Sequence, residues 1–470
     1  MNMYFKKCYY VITVCVILFS IGSVCLAQTK TIISLKYAID SAMKNYPALK
    51  TKQFQIESAN ASVRDAKDQR LPSLKLHDQI DLGTDNGMGG SYFPMSIIPS
   101  TSGGIRANNN TDVFSGNIGA AYMEHELFNF GLSHARIESA KSLANTSKTD
   151  YEVTSYSLQF HVAQLYFDLL RYRLLTNAQK KNIERYQVLY NYIKAYTGSG
   201  IKAGVDSSVA NAEVSKAKIQ YIQTLEKYNK LKSELVYYTG FKSSDFEIDT
   251  SLYHLPDAII DQLKINVSSD SVNSSNPLLS YYNSRWDYAM SQEKLIKKSY
   301  LPKIYLVGGA WMRGSSLSSK DVYGDLSTGL NYSRYNYMTG LALTYNIIDV
   351  VHQKDKVAIQ YYQTEAVREE MLGQKLLLEN QLQQADIGIQ AVMDREKEIP
   401  IQLRAAQNAF SQKSAQYNAG LANITELTDA SYLLYRAETD AVETQSDLLN
   451  TLLQKAVTNN TLNNFLTQFK

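Results

Sequence analysis

The sequence predicts an α+β membrane protein in which very long helices flank four amphipathic strands, the whole arranged as two internal repeats. Three observations predict it. Stretches of 66, 35 and 50 residues (132–197, 205–239 and 421–470) contain neither Gly nor Pro. Four runs of about ten residues alternate apolar and polar side chains, the period of a half-exposed strand. A set of local landmarks occurs twice in the same order.

The first 27 residues read as a targeting segment. Lys6 and Lys7 precede an apolar stretch (Val11, Ile12, Val14, Val16, Ile17, Leu18, Phe19), and Cys25-Leu26-Ala27 ends in a small residue. Cleavage after Ala27 is the expectation. A lipoprotein signal at Cys25 is the alternative, and Val24 counts against it. All three cysteines (Cys8, Cys15, Cys25) lie in this segment, so the expected mature chain carries no disulfide and no Cys-based metal site. Beyond it no run of 18 apolar residues occurs, so any membrane crossing falls to β-strands.

The next stretch is helical: Leu35, Ala38, Ile39, Ala42, Met43 and Tyr46 recur at helical spacing. Pro47 interrupts, and a second helix runs to about Arg70. The three breaker-free stretches read as long helices rich in Ala, Leu, Lys, Gln and Glu. At about 1.5 Å per residue the first reaches roughly 100 Å, so such helices must pair in coiled-coil fashion to bury their apolar stripes. Residues 350–419 read likewise, with a kink or break expected at Pro400.

After Pro72 the period changes to two: Leu74, Leu76, Asp78, Ile80 and Leu82 share a face that is apolar except for Asp78. Ile304, Leu306, Gly308, Ala310 and Met312 follow Pro302 in the same way. Leu341, Leu343, Tyr345 and Ile347 give another strand, and residues 117–128 the weakest of the four. Gly/Ser/Asn-rich loops at 83–112 and 314–336 make them two hairpins. Strands of this length suit a tilted bilayer crossing. Four strands cannot close a barrel, whose smallest single-chain form has about eight, and open edges are not tolerated in lipid. The chain must then share a barrel with copies of itself; two copies give eight strands and three give twelve.

The repeat is carried by Asn45-Tyr46-Pro47 against Ser275-Asn276-Pro277, and Leu71-Pro72 against Leu301-Pro302, both displaced by 230 residues. Downstream, Gly200, Asp206, Ala210 and Ala217 match Gly420, Glu426, Ala430 and Ala437 at a displacement of 220. The chain therefore divides into a first repeat over 28–240, a linker or equatorial region over 241–270, and a second repeat over 271–470.

With these landmarks in place, the chain resembles the TolC-like outer-membrane efflux family. The carrying residues are Leu35-x2-Ala38-Ile39-x5-Asn45-Tyr46-Pro47, Leu71-Pro72-Ser73-Leu74, Leu127-Phe128-Asn129-Phe130-Gly131 and Gly200 to Ala217. In the second half they are Tyr300-Leu301-Pro302-Lys303, Gly420 to Leu427, and Ala437 to Asp440. The resemblance implies a homotrimer with a twelve-strand barrel in outer-membrane lipid and a hollow α-barrel in the periplasm. It also implies a periplasmic adaptor protein and an inner-membrane RND or ABC pump as partners.

The helix-turn-helix tips fall at 196–210 and 417–430, where Gly198, Gly200, Gly204 and Gly420 interrupt the helices. Asp206 and Glu426 start the following helices, which suits cap and dipole in any case. Glu426 and Asp429, three apart, share a helix face. The resemblance implies that Tyr417, Glu426 and Asp429 belong to a periplasmic gate, with carboxylate rings where cations bind. It further implies that the tips (Gly200, Gly204, Asp206, Gly420, Leu421) dock the adaptor. Ala422 stands where a basic latch residue is known in the family.

Nothing points to chemistry. The six histidines are scattered, and no ligand-spaced set, nucleophile elbow, P-loop or dinucleotide fingerprint occurs. A net charge of +3 without basic clusters gives no footprint for nucleic acid. No catalytic residue, cofactor or metal site is expected. The alternative to a conduit is a periplasmic coiled-coil scaffold or adaptor, which explains the helices but not the paired strands.

Overall fold

The computed structural model describes residues 31–87, 105–199, 203–242, 244, 246–251 and 275–469. The targeting segment, Gly200 and residues 252–270 of the linker lie outside them. In chain order the elements are β1 (Thr31–Ile33), α1 (Leu35–Asn45), α2 (Pro47–Asp68), β2 (Ser73–Gly83), β3 (Phe114–Phe128), α3 (Leu132–Gly198), α4 (Gly204–Thr239) and β4 (Phe246–Ile248). Then come α5 (Pro277–Ser299), β5 (Lys303–Ser315), a 3-10 turn (Leu326–Leu330), β6 (Arg334–Thr344), α6 (Asp349–Asn418), α7 (Ile424–Thr458) and α8 (Leu462–Leu466).

Local chemistry sets the boundaries. The Ser34 hydroxyl accepts from the Tyr37 N–H and starts α1, which stops where Pro47 opens α2. Asn276 caps α5 through the Leu278 N–H, with Pro277 in the first turn. Phe130 and Gly131, both at positive φ, turn the chain from β3 into α3.

Three elements differ from the expectation. Helix α6 is continuous over Asp349–Asn418, and neither Pro400 nor Gly373 and Gly388 break it. A proline removes one N–H from the ladder, and the bonds on either side carry the helix past it. The stretch 421–470 is two helices, not one: Asn460 adopts φ +58, the Thr461 N–H bonds to Ala456 O at 2.8 Å and Asn460 N–H to Val457 O at 3.2 Å. This paired closure with a left-handed Asn ends α7. Strand β6 begins at Arg334 and ends at Thr344, leaving Tyr345 and Ile347 beyond it.

The described residues group into two compact units. The first draws on the described parts of Met1–Tyr46, Ser157–Val272 and Asn380–Lys470. Its core holds Leu35, Ala38 and Ala42 of α1, Val162, Tyr166, Phe167 and Leu169 of α3, and Leu448, Leu449, Leu452 and Leu453 of α7. Phe465 and Phe469 stack edge-on against Phe167. Strands β1 and β4 pair in parallel. The Tyr166 hydroxyl ties them, donating to Ile33 O at 2.8 Å and accepting from Asp249 N–H at 3.1 Å. Burial pushes its ionisation well above the ordinary tyrosine range, against the lowering effect of the Asp249 N–H bond. Buried Lys232 donates to Phe246 O at 2.5 Å.

The second unit, Pro47–Tyr156 with Asn273–Glu379, contains the four-stranded antiparallel sheet in the order β2-β3-β5-β6. Gly119 faces Asp78 on one side and Met312 on the other, which fixes the register across the centre. Its helices are joined by Lys52–Asp150 at 2.5 Å, Thr149–Ser284 at 2.6 Å and Arg285–Glu370 at 2.8 Å. No described helix is long and apolar enough to cross a membrane.

Candidate functional site

Two places carry the features that the sequence singled out: the sheet and the helix tips.

Register divides the sheet into two unlike faces. Directly opposed residues of an antiparallel pair point the same way. One face therefore carries Leu74, Leu76, Ile80 and Leu82 of β2, Ala121 and Met123 of β3, Ile304, Leu306 and Met312 of β5, and Tyr335, Tyr337, Leu341 and Leu343 of β6. The β2 and β6 members are large and uncovered, Leu76 being 77% and Tyr337 88% exposed, whereas Ala121, Met123, Ile304 and Leu306 are half-buried. The other face carries Lys75, His77, Gln79, Glu124, Glu126, Trp311, Arg313, Arg334 and Asn336. Asp78, the one acid on the apolar face, accepts a hydrogen bond of 2.6 Å from the Tyr332 hydroxyl. That contact crosses Gly119, where an added Cβ would lie 2.8 Å from the Tyr332 oxygen. Within the chain β2 and β6 are edge strands, each with one side unpaired. An uncovered apolar face with two open edges is a surface for lipid and for further strands, not for water.

At the tips, four helices meet in one apolar cluster. Ile193 of α3, Ala210 of α4, Tyr417 of α6 and Ile424 and Leu427 of α7 are all buried in it. Tyr417, 1% exposed, packs edge-on against Tyr192. Burial, then the nearby Asp206 carboxylate, then Tyr192 push its hydroxyl up to about 12, so it stays neutral at physiological pH. The resemblance implied a gate role for Tyr417; what the structure gives it is a packing role.

The turn from α6 to α7 uses Gly420 at φ +75, with Leu421 N–H bonded to Gln416 O at 2.8 Å and Gly420 N–H to Tyr417 O at 3.1 Å. Glycine adopts this angle at no steric cost, which a residue with a Cβ does not. Leu421 is left exposed. Asn423 then caps α7 by accepting the Glu426 N–H at 2.9 Å. Asp206 sits in the first turn of α4 behind Gly204, its N–H bonded to Ala203 O at 3.1 Å.

Glu426 is half-buried and Asp429 exposed, one turn apart on α7. Lys413 of α6 reaches across the Gly420 turn to Glu426 at 2.6 Å, and its hydrogen bond and charge lower the Glu426 ionisation. The sequence reading missed this counterion. Its signal was a base and an acid placed on either side of a glycine turn. Arg185 of α3 forks onto Glu438 of α7 at 2.9 and 2.8 Å, another pair not foreseen.

The sequence profile of the outer membrane efflux protein family matches residues 38–240 and 269–454. Among solved structures, the CusC channel aligns with TM-score 0.73 at 14% identity, covering 92% of this chain and 95% of that one. The Campylobacter jejuni CmeC outer membrane channel aligns with TM-score 0.72 at 14% identity, covering 96% and 94%. The Neisseria gonorrhoeae MtrE channel, solved in an open state, aligns with TM-score 0.66 at 16% identity, covering 93% and 96%. At these identities the likeness is one of fold. No curated protein matches by sequence.

Proposed function

The chain belongs to the outer membrane efflux protein family, a family of non-enzymatic conduits in the outer membrane with their helices in the periplasm, and from that premise we propose that it is the channel subunit of a tripartite efflux or type I secretion system. Three copies join edge to edge, β6 of one against β2 of the next, and close a twelve-strand barrel; two internal repeats supply each copy's pair of hairpins. Solutes pass by diffusion from periplasm to exterior once the helix tips part. A periplasmic adaptor at the tips, around Gly200, Gly204, Asp206, Gly420 and Leu421, couples the channel to an inner-membrane RND or ABC pump.

The observation that carries this reading is the four-stranded sheet with one uncovered apolar face and two unpaired edges. Lipid covers such a face, and neighbouring copies cover such edges. A scaffold or adaptor in aqueous periplasm would leave both exposed.

In this reading Glu426 and Asp429 line the periplasmic aperture and bind cations there, with Tyr417 packing the helices behind them. The purified full chain, reconstituted in planar bilayers, should conduct and be blocked by divalent cations from the periplasmic side. The double variant E426Q/D429N should need at least tenfold more cation for half-block. Unchanged block in that variant overturns the aperture assignment, and a monomeric, detergent-independent protein overturns the channel itself.

A further inference from the structure

Arg313 and Arg334 stand directly opposite each other across β5 and β6, at the loop end of the sheet. Directly opposed residues of an antiparallel pair hold their Cβ atoms about 4.5–5.5 Å apart, and like charges there destabilise the pair. Folding alone gives no reason to set two guanidinium groups side by side. Among the described residues neither side chain has a hydrogen-bond or ion-pair partner. The same row continues into Ile118 and Gln79, which offer no carboxylate. Asp81, two residues further along β2, is engaged by Gln79 Nε2 at 2.8 Å. The backbone at this point is fixed, because the Ser333 N–H closes the ladder on Arg313 O at 2.8 Å.

Register also says where the charges point. Both arginines share the face of His77, Trp311 and Asn336, while Met312, Tyr335 and Tyr337 point the other way with the apolar band. The pair therefore lies on the polar face, opposite the apolar band.

We propose that Arg313 and Arg334 form an anion-binding site on the polar face at the loop end of the sheet, taking phosphate- or carboxylate-bearing solutes. This rests on the channel reading above, which makes that face the lumen. Two adjacent planar forks suit a phosphate or carboxylate through paired, charge-assisted hydrogen bonds, and a bound anion removes the mutual repulsion. Three copies place six guanidinium groups around one cross-section, so their potentials add and draw anions towards the exit.

Tripolyphosphate is the probe. Added to the detergent-solubilised full chain at constant ionic strength, it should raise the melting temperature of the wild type, and R313Q/R334Q should lose most of that shift. Equal shifts in both proteins, or none in either, overturn the site. In planar bilayers, tripolyphosphate on the side of the strand-connecting loops should block wild-type current. The half-blocking concentration should rise at least tenfold in the double variant. A melting shift that depends on the arginines, without any block of a conducting channel, overturns the placement of the site in the lumen. A wild type that never conducts overturns the channel reading while the melting comparison still decides the site.

Discussion

Lys413 Nζ lies 2.6 Å from the Glu426 carboxylate and joins the last turns of α6 to the first turn of α7 across Gly420. The tip therefore carries a built-in counterion next to the acid assigned to the aperture. Replacing Lys413 with Met should free Glu426 and strengthen divalent-cation block in planar bilayers. E426Q/D429N should act in the opposite direction.

The same pair sets a pH dependence. Lys413 lowers the Glu426 ionisation in the fold, so the unfolded chain binds the proton more readily. The pair's contribution is present above the unfolded-state value and disappears as pH falls through the folded one. Melting temperatures of wild type and K413M should differ at neutral pH and converge in acid below the ordinary carboxylate range. A gap that persists there would mean that Lys413 acts by packing.

Gly420 and Gly204 make a matched comparison. An added Cβ meets nothing within 4 Å at either, but only Gly420 has positive φ. Gly420→Ala should destabilise by about 1–2 kcal/mol through backbone strain alone. Gly204→Ala should be neutral or stabilising by about 0.4–1 kcal/mol. Thermal denaturation of the two variants checks the contrast.

Tyr417 and Glu438 test the packing around the tips. Tyr417→Ala empties a buried aromatic site and should cost about 3–5 kcal/mol, whereas Tyr417→Phe keeps the ring. Glu438→Gln breaks the Arg185 fork and should cost about 1.5–3 kcal/mol. Denaturant unfolding in detergent reads both.

The two faces of the sheet should respond differently to charge. Leu341→Arg on the apolar face should cost about 2–4 kcal/mol in a bilayer. Met338→Arg, one register step from the apolar residues and on the polar face, should be tolerated. Refolding into lipid vesicles followed by urea titration measures the difference.

Much of this fold is written in local patterns. Runs such as 132–197 hold a helix because nothing in them interrupts one, and Leu74 to Leu82 spell out their two faces by alternation. What depends on partners far along the chain is harder to see. The strands Thr31–Ile33 and Phe246–Ile248 are three residues each and exist because they pair with each other, a contact no local window contains. The Lys413–Glu426 and Arg185–Glu438 pairs are likewise tertiary. The end of α7 was legible in principle, since Asn459-Asn460 offers the left-handed residue that closes a helix. Continuity through Pro400 overrides a local signal: one lost hydrogen bond is a small deficit in a helix of 70 residues.

Strand β3 has β5 as its neighbour, so Gly119 meets Met312, a residue made almost two hundred positions later. During synthesis the first hairpin must wait, with one side bare, until the second half of the polypeptide has emerged. An N-terminal fragment ending before Lys303 is consequently not a smaller working unit: it leaves one side of β3 without its neighbour, a bare ribbon open to wrong pairings.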